Sequence, residues 1–169
     1  MIAQSERATS ARESAYRIAA PNSTPRAIML VALEAGAARL LADIAKDGWR
    51  RTTFRSSVWL EDAPDPRGEA LDQWCDIVAG HAENLVNEIA ASDLVVMVTT
   101  AGDPATGASV IGEACVARGV KTSGIILQTP QTSSDALSSS LRELRPWTRT
   151  LSVFSDAGMV PDMIHALGG

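Results

Sequence analysis

The sequence predicts an α/β fold of three layers: a mainly parallel five-stranded sheet with helices on both faces, in the Rossmann-like manner. Three observations carry this prediction. Ala27 to Leu33 and Leu94 to Val98 are continuous apolar runs, as expected of strands buried on both faces of a parallel sheet. Each run leads through a short turn containing glycine into a segment of helical periodicity. Strands and helices then alternate along the chain, which calls for crossover connections and hence parallel pairing.

Taken in order, residues 1–25 read as a flexible N-terminal arm, with Arg7, Arg12 and Arg17 set among Ser, Ala and Thr. Residues 26–169 read as a single α/β domain. Its first strand, Ala27 to Leu33, turns through Glu34, Ala35 and Gly36 into a helix, Ala37 to Lys46. Leu40, Leu41 and Ile44 face inward there, and Gly48 lies past the end. Arg51 to Leu60 is extended, with Phe54, Ser56, Val58 and Leu60 on one face and a mixed polarity that suits a position near the sheet edge. Glu61 to Gly68 is a loop. The longest helix follows, Glu69 to Ala91, with Trp74, Cys75, Val78, His81, Leu85 and Ile89 along one stripe.

The central strand–turn–helix–strand unit spans Ser92 to Leu127. Its turn is Thr99 to Gly107, its helix Ala108 to Arg118, and its second strand Val120 to Leu127. Val110, Ile111, Ala114 and Cys115 fall on one face of that helix, and Gly119 stops it. Ser134 to Leu144 is a further helix, barred from continuing by Pro146. Thr148 to Phe154 is the last strand and Val160 to Leu167 the last helix.

A net charge of -5 argues against a nucleic-acid partner or a membrane surface. No apolar run approaches the ~20 residues of a membrane span, and no apolar leader core opens the chain, so the cytoplasm is the expected compartment. Cys75 and Cys115 both fall on apolar helix faces and read as buried free thiols. His81 reads as a satisfied core histidine, and His165 as a charge complementing the last helical turn. No metal-binding or hydrolase motif occurs. No acid or base is paired with a nucleophile, so catalytic residues and metal ligands are both expected to be none, and the cofactor is unknown.

Ligands of open α/β sheets sit beyond the carboxyl ends of the strands. The candidate ligand-binding residues are therefore Gly36 in the first turn and Thr99, Thr100, Gly102, Asp103, Thr106, Gly107 and Ser109 in the second. Gly102 to Ser109 has the G-x-x-x-x-G spacing of a P-loop, but Ala108 stands where the lysine belongs. At ~6 Å and an effective dielectric of ~20, the Asp103 carboxylate opposes a phosphate charge by roughly 3 kcal/mol, about a hundredfold in affinity. The same stretch reads equally well as an ordinary turn capped by Thr106.

With its loops placed, the chain from about Arg26 to Asp156 resembles the nucleotide-binding half of the FtsZ/tubulin family. The likeness lies in the first strand with its tight turn, in SDLVVMVTTAG, in TGASVIGEACVARGVKTSGII, which is similar to the segment bearing that family's signature, and in LRELRPWTRTLSVFSD. The resemblance implies a GTP-phosphate site at the two turns. Asp103 and Pro104 replacing glycines imply that the site is degenerate. A second resemblance is to sugar-isomerase (SIS) domains, which implies a phosphosugar held by Thr99, Thr100 and Thr106. The functional expectation is a small non-catalytic domain binding a nucleotide-like or phosphosugar-like ligand at residues 99–109. The alternative is a structural or regulatory protein that self-associates, its nucleotide site lost. A homo-oligomer is expected, with Trp49, Trp59 and Trp147 as candidate interface anchors.

Overall fold

The computed structural model describes residues 25–58, 80–81 and 83–168. Five strands make one sheet: β1 (Ile28–Ala32), β2 (Thr52–Ser56), β3 (Leu94–Thr100), β4 (Lys121–Leu127) and β5 (Thr150–Phe154). Their spatial order is β2-β1-β3-β4-β5, and every pairing is parallel. This is the flavodoxin-like order of the doubly wound fold, in which the chain reverses direction across the sheet between β1 and β3. The expected three-layer α/β architecture is present. The expected arm at 1–25 lies, apart from Pro25, outside the described residues.

The helices are α1 (Ala35–Ile44), α2 (described at 80–81 and 83–90), α3 (Ala108–Arg118), α4 (Ser134–Leu144) and α5 (Met159–Leu167). Strand periodicity sorts them onto two faces. Ile28, Leu30 and Ala32 of β1 and Leu94, Val96 and Val98 of β3 point one way, against Ala37, Leu41 and Ile44 of α1 and Val160 and Ile164 of α5. Met29, Val31, Val95 and Met97 point the other way, against Ile89 of α2, Ile111 and Cys115 of α3 and Leu144 of α4. All five residues of β1 are buried, which is why its sequence shows no alternation. In β2, Thr52 is buried and Phe54 and Ser56 half-buried, while Thr53 and Arg55 are exposed; this is the alternation of an edge strand. Truncating a fully buried residue such as Leu30 to Ala would cost about 2–5 kcal/mol.

Several local expectations are corrected. Val110 is 52 % exposed, and the inward face of α3 is Ala108, Ile111, Gly112 and Cys115. Gly112 is there because Trp147 lies against it: a Cβ on Gly112 would stand 2.7 Å from the Cβ of Trp147. Trp147, carried by a 3-10 turn (Arg145–Trp147) that continues α4 past its end, is thus half-buried within the domain. Trp49 is half-buried too. Its Nε1 donates to Ile44 O at 2.8 Å, and its ring meets Phe54 edge-on at 6.3 Å and His165 at 4.5 Å. Both tryptophans pack within the domain and remain partly exposed; Trp59 and Trp74 lie outside the described residues. His81 is exposed rather than in the core. No helix among the described residues is long and apolar enough to cross a membrane.

Candidate functional site at the carboxyl edge of the sheet

Two strand-to-helix turns flank the point where the sheet reverses. The first joins β1 to α1. Glu34 has extended backbone (φ -151°, ψ 169°) and is the N-cap of α1. Its carboxylate accepts from the N–H of Gly36 and from the N–H of Ala37 at 2.6 Å, filling two of the donor positions that a helix start leaves open. The Thr100 hydroxyl, at the end of β3, donates to Glu34 Oε1 at 2.9 Å. Glu34 is only 5 % exposed. A buried carboxylate is costly unless its oxygens are bonded, and here three donors meet them, with the positive end of α1 adding to the effect.

The second turn joins β3 to α3 through residues 101–107. Gly102 (φ 93°) and Gly107 (φ 80°) both adopt the left-handed conformation that side chains with a Cβ resist. Gly107, with no side-chain bond, is the N-cap of α3, so the expected cap by Thr106 is corrected. The amides of this turn are largely taken. Gly102 N donates to Ser140 Oγ at 2.9 Å, Asp103 N to Thr100 O at 3.1 Å, and Ala105 N to Glu143 Oε2 at 3.0 Å. Ser57, fully buried just past β2, donates to Thr106 O at 2.7 Å and ties the turn to the neighbouring strand.

The expected site residues therefore have distinct fates. Gly36 and Thr100 meet at one carboxylate. Thr99 is fully buried, with its hydroxyl directed to Thr100 O at 3.4 Å, and lies away from the surface of the crevice. Gly102 and Gly107 shape the second turn, Asp103 is exposed on it, and Thr106 contributes its carbonyl to the tie with Ser57. Ser109 is exposed on the first turn of α3. Sequence reasoning missed Glu34 as a cap, and Ser57, Ser140 and Glu143 altogether. An acid directly ahead of a helix was a usable signal for the first. Ser140 and Glu143 gave no signal, since they act on residues 38 positions away. Among the described residues no group of three or more His, Cys, Asp or Glu could hold a metal ion.

In flavodoxin, which has this strand order, FMN sits at the β1/β3 switch point. Its phosphate would take the N–H groups that open the helix after β1. In this chain those of Gly36 and Ala37 are bound to the Glu34 carboxylate, and the phosphate end of FMN does not fit.

No family model matches this chain, and no curated protein matches it. Among solved structures it is similar to one described as a "putative quinone reductase from Klebsiella pneumoniae", at 14% sequence identity and a TM-score of 0.36. The match covers 83% of this chain and 82% of that one. The resemblances to FtsZ/tubulin and to sugar-isomerase domains are corrected: neither family is found, and the sheet runs in the flavodoxin-like order β2-β1-β3-β4-β5. The expected non-catalytic domain with a nucleotide-like or phosphosugar-like ligand at 99–109, and its self-associating alternative, are corrected with them on the geometry of the two turns. In physical terms, both turns that were to wrap phosphate spend their amides on the protein's own oxygens.

Proposed function

We propose that this domain is an enzyme of the oxidoreductase type, acting on a small ligand with a planar redox-active ring in the crevice between the first and second turns. The observation that carries the proposal is the all-parallel order β2-β1-β3-β4-β5. The support is architectural: sheets of this order open a crevice at the β1/β3 switch point, and flavodoxin-like proteins hold a flavin there. Glu34 stands just past the carboxyl end of β1, and Thr100, Gly102 and Asp103 stand at and just past that of β3, on either side of the switch point.

The test is thermal unfolding with riboflavin, menadione and NADPH, joined to the rate of NADPH oxidation in the presence of menadione. A ligand at a hundredfold excess over Kd adds ~2.7 kcal/mol, roughly 5–11 °C in a domain of this size. The expected result is such a rise with riboflavin or menadione, lost in a folded Asp103→Arg variant. A flat response to all three ligands, with no NADPH oxidation, overturns the proposal. A cytoplasmic location and a homo-oligomeric state remain part of it. The buried free thiol of Cys115 supports the first; sedimentation at micromolar concentration tests the second.

A further inference from the structure

We infer that Glu34 is a specificity-determining residue: its carboxylate occupies the phosphate position at the start of α1 and restricts the crevice to ligands carrying no phosphate there. The inference rests on the proposed ring-binding crevice for its ligand class, but its geometry stands independently. A helix start offers an anion its free N–H groups and its positive dipole end. Here an anion is already present, supplied by the chain. Oε1 of Glu34 receives Ala37 N at 2.6 Å and the Thr100 hydroxyl at 2.9 Å, while Oε2 receives Gly36 N. These are the contacts a bound phosphate oxygen would make: two backbone amides and a hydroxyl.

The packing agrees with a fixed carboxylate. A Cβ built on Gly36 would stand 2.9 Å from Glu34 Oε2 and 3.2 Å from Oε1, so the absent side chain at 36 leaves room for the carboxylate that folds back over it. Glu34 is 5 % exposed, and rotating it out to admit a phosphate would break three hydrogen bonds at once. The second turn repeats the arrangement with a residue from another helix: the Glu143 carboxylate holds the amide of Ala105 at 3.0 Å. An entering phosphate would meet a carboxylate at either turn. The edge is built for neutral or cationic ligand ends, although it lies where related sheets take anions.

Riboflavin and FMN differ only by the terminal phosphate, which makes them the probes. Wild-type protein is expected to bind riboflavin at least tenfold more tightly than FMN, read by quenching of flavin fluorescence. Glu34→Thr keeps a capping oxygen and removes the charge and bulk, and is expected to erase or reverse that ratio. Glu34→Asp, still anionic, is expected to keep it. Equal binding of the two flavins by wild type, or an unchanged ratio in Glu34→Thr, overturns the inference while leaving the ring-binding proposal intact. If neither flavin binds, inorganic phosphate decides the inference alone. Phosphate should then raise the melting temperature of Glu34→Thr, and shift its Gly36 and Ala37 amide resonances, without doing either in wild type. The same response in both proteins, or in neither, overturns it. Should Glu34→Thr not fold, Glu34→Ser serves in its place.

Discussion

The two turns at the carboxyl edge solve one problem in opposite ways. Each must satisfy the amides released where a strand gives way to a helix. The first does so from within: Glu34 is adjacent to the helix it caps, and its partners Gly36 and Ala37 follow within three residues. The second depends on a neighbour. Ser140 and Glu143 of α4 reach across to Gly102 and Ala105, and only left-handed glycines let the backbone come close enough. A locally closed turn survives changes elsewhere in the chain. A turn closed from afar is only as stable as the packing of the helix that closes it.

The largest effect expected from this contrast is at the glycines of the second turn. Gly102→Val and Gly107→Val should each cost more than ~2 kcal/mol in urea unfolding, since both positions have positive φ. At Gly102 a Cβ would also stand 3.1 Å from the Cβ of Ala136 in α4. Gly36→Ala in the first turn should cost less than either, because its backbone is helical and only the Glu34 side chain must give way. Equal losses at Gly36 and Gly107 would break the comparison.

Next in size is a pH effect in α3, the helix that follows the second turn. Burial pushes the Cys115 thiol up from 9.0 to about 11. Between those values the unfolded chain loses the proton and the folded one keeps it, so stability should be intact below pH 9 and fall as pH rises toward 11. The loss is on the order of 2 kcal/mol. Cys115→Ala should flatten that limb of the stability profile. An unchanged slope in the variant would show that the thiol is not what titrates.

Ser140→Ala should cost about 1–2 kcal/mol by leaving Gly102 N without its acceptor. Proton exchange at Gly102 and Ala105 should accelerate with little change at Gly36 and Ala37. If all four amides accelerate together, the two turns open as one unit and the distinction between them fails. The matching change in the first turn, Glu34→Ala, should cost about 1 kcal/mol, and Glu34→Thr less, because threonine can still cap.

The smallest effect belongs to the ion pair that ties edge strand β2 to α2. Arg55 donates to Glu88 through Nε at 2.6 Å and Nη2 at 2.7 Å, and this bonding raises the Arg55 pKa. Both side chains are substantially exposed, at 47% and 35%, so Arg55→Ala should change stability by less than ~1 kcal/mol. A larger loss in a double-mutant cycle with Glu88 would show the edge strand to be held by this pair.

How much of this was legible in the sequence follows the same local-versus-distant line. The doubly buried strands were readable because an apolar run such as Ile28 to Ala32 has no exposed face to encode. α3 and α4 were bounded correctly at Ala108–Arg118 and Ser134–Leu144, since Gly119 and Ser133 act as end signals within the element itself. Val110 was misplaced because helical periodicity cannot foresee that Trp147 packs on Gly112 and rotates the inward face of α3. The two turns were located, but their chemistry was inverted. Glycine spacing suggested amides offered to a ligand, whereas the residues that take those amides include two on α4, set by tertiary packing alone.

Glu34 also changes what free phosphate or a phosphate ester would have to overcome. A carboxylate tethered two and three residues from the amides it binds acts as a competitor whose effective concentration is set by the chain and not by the solution. A free anion at millimolar concentration competes with an intramolecular one already in register, and dilution never weakens the incumbent. On this inference the first turn holds its shape until free phosphate rivals that effective concentration, so its readiness to receive another molecule does not follow small changes in the phosphate supply.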